Sequence, residues 1–318
     1  MRFRVGFLLA SLFLVQSICY SQQKSTTNEG NFTIRKEVEE VVLYVTVTDE
    51  KGRLVQDLQV ENFLVLEDNK QQAVTSVHRE DVPIALGILI DNSGSMSRNR
   101  TAVNQAVLNL VLASNPQDQV FIVNFNKDSF LDQDFTSSIA KLKEALEIIE
   151  SRSGTALYDA IVASANHLRD NGKLDKRALL VVTDGEDRDS EQTLEHTLRS
   201  LQDGKGIMVY SIGILGEERV RRAKRALKAL ADGTGGVAFF PKDLAEVDSI
   251  SKTVAHDIRN QYSVNYKPDH LRVEGEQRTI QVKVNVQGRG KLSVRFRTGY
   301  FSGQPKKNVV PLQRRVPQ

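Results

Sequence analysis

Residues 84–96 read IALGILIDNSGSM. The stretch from Ile84 to Ile90 contains no polar side chain. An apolar run of that length, too short for an ordinary helix, is the signature of a strand covered on both faces, as in a parallel sheet. It ends on Asp91, and Asn92, Ser93, Gly94 and Ser95 follow at once. In an open α/β sheet the carboxyl end of a strand is where ligands bind. The run therefore sets two expectations together, a sheet class and a cluster of oxygen donors at its edge.

Working outward, VFIVNF, ALLVV and IMVYSIGI repeat the continuous apolar pattern. Between them VNQAVLNLVLAS, SSIAKLKEALEIIESR, ALYDAIVASANHLRDNG and EQTLEHTLRSLQDG place apolar residues three or four apart, the helical spacing. A further helix carries Val220, Ala223, Leu227 and Leu230 on one face, then a short strand GVAFF and a last helix LAEVDSISKTVAHDIRN. Alternation of strand and helix over 83–260 predicts a doubly wound, Rossmann-like α/β domain with a mostly parallel sheet.

Both flanks read as strands. In 32–82, VVLYVTVTD, FLVLED and AVTSVHR are separated by turn sequences, and in 261–302 Ile280, Val282, Val284 and Val286 alternate with polar residues. Neither segment alone buries much core. They are expected to pair into one β-sandwich with the α/β domain inserted between them, since domain termini commonly lie close together. Two independent β elements are the alternative.

The amino terminus carries arginines and then the apolar run GFLLASLFLVQSI, with small residues at Cys19 and Ser21. That layout predicts a secretory signal peptide over 1–21, followed by a disordered linker over 22–31. The run is short for a membrane span, which needs about twenty apolar residues, so no span is expected in the mature chain. Export points to periplasm, cell surface or extracellular space. Residues 303–318, with prolines and basic residues and no period, read as a flexible tail.

Composition removes several function classes. Formal net charge is +3, too small for a nucleic-acid binder without clustered basic and aromatic residues. Cys19 is the sole cysteine and the five histidines are scattered, which argues against disulfides and against thiolate or imidazole metal sites. A metal here would be held by oxygen.

Asp184 ends another apolar run, in LLVVTDGED. If its strand neighbours that of Asp91 across the topological switch, both carboxylates meet at one edge. Ser93, Ser95 and Thr155 lie in loops or helix starts that could converge there. Two carboxylates with three hydroxyls form a hard-oxygen set suited to Mg²⁺, with Mn²⁺ and Ca²⁺ as alternative ions. Two such acids repel, and a divalent cation removes that penalty.

DNSGS, SGTALYDA and TDGED resemble the metal-ion-dependent adhesion site of von Willebrand factor type A domains, and the resemblance covers about 84–260. The flanks resemble those of a group of exported bacterial proteins of that family. The resemblance implies that Ser93 and Ser95 coordinate the ion directly, Thr155 directly or through water, and Asp91 and Asp184 often through water. It also implies that a partner protein supplies a carboxylate to the remaining position. The function expected is metal-dependent adhesion or protein binding, not catalysis. A scaffold or assembly role in a cell-envelope complex, with a structural metal, is the second reading.

Other residues carry weaker expectations. Gly94 would permit the turn that aims both serines inward, and Asp159 would hydrogen-bond the metal loop or be a plain polar helix residue. Glu186 and Asp187 read as solvated surface charges, and the basic stretch Arg219 to Lys228 as an exposed helix face. No histidine sits in a nucleophile–base pattern. A phosphatase of the haloacid-dehalogenase type would need a second aspartate where Ser93 stands.

Overall fold

The computed structural model describes residues 40–79, 81–148, 153–215, 220–269, 275–302 and 310–314. The expected signal peptide and linker lie outside the described residues. Among the described residues no helix is long and apolar enough to cross a membrane.

The amino-terminal segment supplies β1 (Val41–Thr48), β2 (Phe63–Glu67), β3 (Lys70–Gln72) and β4 (Val74–His78). The α/β part runs through β5 (Ile84–Asp91), α1 (Arg100–Leu112), β6 (Gln119–Phe125), β7 (Ser129–Thr136), α2 (Ile139–Glu147), α3 (Leu157–Asn171) and β8 (Lys176–Thr183). It continues with α4 (Leu194–Gln202), β9 (Met208–Gly213), α5 (Val220–Thr234), β10 (Ala238–Phe239) and α6 (Ala245–Arg259). After it come β11 (Tyr262–Tyr266), β12 (Gln277–Val284), β13 (Ser293–Arg295), β14 (Gly299–Phe301) and the short β15 (Gln313–Arg314).

The central sheet has the order β10-β9-β8-β5-β6-β7-β15. All pairings are parallel except β6 with β7. The chain fills one side of β5 with β6 and β7, then returns to the other side with β8, so the switch point lies between β5 and β8. Strand β5 is buried along its whole length because both faces are covered. Ile84, Leu86, Ile88 and Ile90 enter the core shared with α1, α2 and α6, whereas Ala85 and Leu89 enter the core shared with α3, α4 and α5. Gly87 sits between them where a Cβ would lie 2.3 Å from Phe121 Cζ, so only glycine permits this packing.

Strand β7, SFLDQDFT, was not expected. Its polar residues alternate only loosely with apolar ones, and pairing with β6 is what makes it a strand.

The flanking segments build two four-stranded antiparallel sheets, β13-β1-β11-β4 and β14-β12-β2-β3. Strand β1 lies between β11 and β13, and β2 pairs with β12, so amino- and carboxyl-terminal strands interleave. Their inner faces share one core that includes Leu43, Val45, Val65, Val264, Ile280 and Val282. Strands β4 and β11, which bracket the α/β part in sequence, are antiparallel neighbours. The chain thus leaves and re-enters the sandwich side by side, which makes an insertion geometrically cheap.

Part of the expected flexible tail is ordered instead. Gln313–Arg314 pairs with β7 at the sheet edge and Leu312 packs on the core. The open edge of β7 offers unpaired backbone groups, and an extended segment satisfies them.

Candidate metal centre

Asp91 is the last residue of β5 and is 0% exposed. Its two oxygens are spoken for differently. Oδ1 accepts a hydrogen bond from Ser93 N at 2.8 Å, and Oδ2 accepts one from Thr183 Oγ1 at 2.6 Å. The first bond folds the chain back immediately after the strand, and a short 3₁₀ turn over Gly94–Arg98 follows. Met96 is 0% exposed and anchors that turn in the core below. With Met96 directed inward, Ser95 on the same turn is left exposed.

Asp184 follows β8 directly and is partly buried. Ser95 Oγ donates to Asp184 Oδ1 at 2.9 Å, and the Ser93 and Ser95 hydroxyls are 3.2 Å apart. Thr155 stands just before α3 and is 7% exposed. A Cβ placed on Gly185 would lie 3.6 Å from Thr155 Oγ1 and 3.8 Å from Asp91 Oδ2, so the Thr155 hydroxyl and the Asp91 carboxylate flank one small space. All five expected residues therefore lie at the β5–β8 switch point, and Ser93, Ser95, Thr155 and Asp184 line one open cleft there.

The electrostatics are unfavourable without a counter-charge. Burial pushes the Asp91 carboxyl above its ordinary range, against hydrogen bonds from Thr183 and Ser93 and the charge of Arg100. Burial also raises Asp184, the Asp91 charge raises it further, and the Ser95 hydrogen bond opposes both. A buried and a partly buried carboxylate that repel each other beside three hydroxyls fit a hard divalent cation, which would relieve the repulsion and satisfy the oxygens. No group of three or more His, Cys, Asp or Glu suited to a metal occurs among the described residues. The donor set is thus rich in hydroxyls, not in carboxylates.

Several supporting residues were not expected. Thr183, inside a buried strand, orients Asp91, and nothing in a run of apolar letters shows which way a hydroxyl points. Arg100 is 2% exposed and donates to Asn92 Oδ1 at 3.3 Å and Asn124 Oδ1 at 2.6 Å, placing a buried cation behind Asp91. Asp189 Oδ2 accepts from Thr155 N at 2.7 Å, and Asp187 Oδ1 accepts from Tyr158 N at 3.2 Å. The loop after Asp184 therefore caps the amino terminus of α3, where unpaired N–H groups favour carboxylates. Asp187 is a structural cap and not a solvated charge.

Asp159 bonds a loop of the site, and the expectation for Gly94, like that for Asp187, is corrected. The Asp159 carboxylate accepts from Glu191 N at 3.0 Å and Gln192 N at 2.9 Å, so it pins the far end of that same loop and not the Ser93–Ser95 turn. Gly94 has no left-handed backbone, and a Cβ there would meet nothing within 4 Å, so its turn does not require glycine. The residue that does is Gly154, at φ +101, where a Cβ would lie 2.9 Å from Lys127 Cβ. Its place immediately before Thr155 makes it the glycine that shapes the site.

Fold and site together define a doubly wound α/β domain with an oxygen-lined cleft at its switch point. Residues 86–186 match the family model of the von Willebrand factor type A domain. No curated protein matches the chain. Among solved structures it is similar to an aerotolerance-related membrane protein from Bacteroides fragilis, at 22% identity over 55% of this chain and 98% of that chain, TM-score 0.45. It is similar also to von Willebrand factor type A from Catenulispora acidiphila, at 15% identity over 85% and 76%, TM-score 0.47. A third is proximal thread matrix protein 1 from the mussel byssus, with a zinc-occupied MIDAS motif, at 16% identity over 60% and 49%, TM-score 0.45.

Proposed function

We propose that this protein is an exported, Mg²⁺-dependent binding module whose cleft takes an acidic side chain of a partner protein. The observation that carries the reading is the pairing of Asp91 and Asp184 at the switch point. Both carboxyls are pushed up by burial, and Ser93, Ser95 and Thr155 stand beside them. Asp91, Ser93, Ser95, Thr155 and Asp184 would hold the ion, with Mn²⁺ or Ca²⁺ as alternatives. When bound, the cation supplies a Lewis-acidic position that a partner carboxylate completes.

The chain's own residues do the rest. Thr183 and Ser93 N fix the Asp91 carboxylate, Met96 holds the serine turn, and the Asp187–Asp189 caps hold Thr155 in place. The open cleft leaves the site reachable by a second protein. Export through a signal peptide over 1–21 belongs to the same reading, and so does the division into a 32–82 and 261–302 sandwich around an 83–260 domain.

The test is calorimetric titration of Mg²⁺ into wild type and Asp184→Ala, with thermal unfolding in parallel. Saturable binding to the wild type alone, with both proteins folded, is the expected result. A folded wild type that takes up no Mg²⁺ overturns the proposal. Binding that is lost only together with the fold favours a structural metal and the scaffold reading.

A further inference from the structure

The cleft that holds Ser93, Ser95, Thr155 and Asp184 is also lined by Lys127, Arg188 and Lys242, which come from three separate loops. All three are exposed, and among the described residues none of their side chains makes a hydrogen bond or ion pair. The carboxylates of the same cleft are each engaged. Asp189 caps Thr155 N, Asp243 accepts from Ala245 N at 2.9 Å and Glu246 N at 3.2 Å, and Glu186 faces Arg222 at 3.7 Å. Asp184 accepts from Ser95.

The cleft lining sets these three cations against the carboxylates of Asp184, Glu186, Asp189 and Asp243, and a divalent ion would turn its formal charge from −1 to +1. Arg222 reaches the rim from α5, whose exposed Arg221, Arg222 and Arg225 carry the basic surface outward. Ile214, Leu215 and Leu244 supply an apolar wall. A concave cleft with an apolar wall suits a peptide strand that carries side chains, more than a flat lipid surface.

Resting on the function proposed above, we infer that the partner presents an acidic segment. One of its carboxylates enters the metal site, and neighbouring Asp or Glu residues meet Lys127, Arg188 and Lys242. Free cations around one ligating position select for charge density in the ligand and steer its approach.

The experiment compares two end-blocked heptapeptides by fluorescence anisotropy. One has a single central aspartate among glycine, serine and leucine, and the other has the same aspartate flanked by glutamates. In saturating Mg²⁺ the acidic peptide is expected to bind about tenfold tighter than the single-aspartate peptide, from three exposed charge pairs. In the variant Lys127→Gln/Arg188→Gln/Lys242→Gln, checked as folded by thermal unfolding, the gap shrinks to within about threefold. High salt shrinks it in the wild type too.

Equal affinity for both peptides, each Mg²⁺-dependent and lost in Asp184→Ala, overturns this inference and leaves the metal-site reading standing. Tight acidic-peptide binding that survives chelation and Asp184→Ala but not the triple variant supports the acidic partner and removes the metal reading. Binding of neither peptide, or saturable binding of phosphatidylglycerol vesicles alone, overturns the acidic-peptide partner.

Discussion

Arg295 on β13 reaches both carboxylate oxygens of Asp257 on α6, each at 2.5 Å. The contact joins the sandwich to the last helix of the α/β part, and Tyr210 OH donates to the same Asp257 at 2.7 Å from β9. A carboxylate this enclosed tolerates its position only with its partners in place.

Removing Arg295 therefore leaves a largely buried charge unpaired. Arg295→Ala is expected to lower unfolding stability by about 2–4 kcal/mol, measured by urea denaturation. Asp257→Asn combined with Arg295→Ala is expected to recover part of that loss. A change below about 0.5 kcal/mol for the single variant would mean the pair behaves as an ordinary surface contact.

Thr183→Val tests how far the metal site depends on its support. The variant keeps the shape of the strand residue and removes the 2.6 Å hydrogen bond to Asp91 Oδ2. Mg²⁺ affinity is expected to fall about 10–100-fold by calorimetry, with about 1–2 kcal/mol lost in stability. Unchanged affinity would show that Asp91 needs no such orientation.

Gly154 and Gly94 are expected to behave oppositely. Alanine at 154 meets both a left-handed backbone and Lys127 Cβ at 2.9 Å, so Gly154→Ala is expected to cost about 1–3 kcal/mol and weaken Mg²⁺ binding through Thr155. Gly94→Ala meets open space and leaves thermal unfolding within about 0.5 kcal/mol of wild type. A neutral Gly154→Ala would contradict the packing described.

Lys176 gives a pH dependence. It is 1% exposed, donates to Ile258 O at 2.5 Å and lies 5.0 Å from the Tyr44 ring centroid. Burial lowers its pKa from 10.5 to about 8, against the charges of Asp257, Asp81 and Asp118. Between those two values the unfolded chain holds a proton that the folded chain has released, so stability contributed by this group rises with pH across that window. Below about 8 the folded protein bears the full cost of the buried charge. Tyr44, pushed up to about 12 by burial, stays neutral throughout. Urea denaturation of wild type against Lys176→Met is expected to show a rise of about 1–3 kcal/mol in the wild type relative to the variant from pH 8 to 10.5. Parallel pH profiles would remove the buried-cation account.

Much of this molecule was legible in one dimension because burial writes itself into letter patterns. Continuous apolar runs marked β5, β6, β8 and β9, helical spacing marked the covering helices, and strict alternation marked β12. Asp91 and Asp184 could be paired from sequence because each ends such a run, and strand ends are where parallel sheets expose backbone and bind ligands. Ser93, Ser95 and Thr155 were expected beside them because DNSGS and SGTALYDA resemble the metal-ion-dependent adhesion site of von Willebrand factor type A domains.

What tertiary structure alone decided was orientation and pairing. Whether Thr183 turns its hydroxyl to Asp91, whether Arg100 reaches Asn124 and whether Asp187 caps α3 depend on contacts across tens of residues. Strand β7 and the β15 segment exist because a neighbouring edge needed hydrogen-bond partners, and that need is invisible in their own polar sequences. The same holds for Gly154 over Gly94. Both look alike as letters, and only the backbone around each shows that the first has no room for a side chain while the second has.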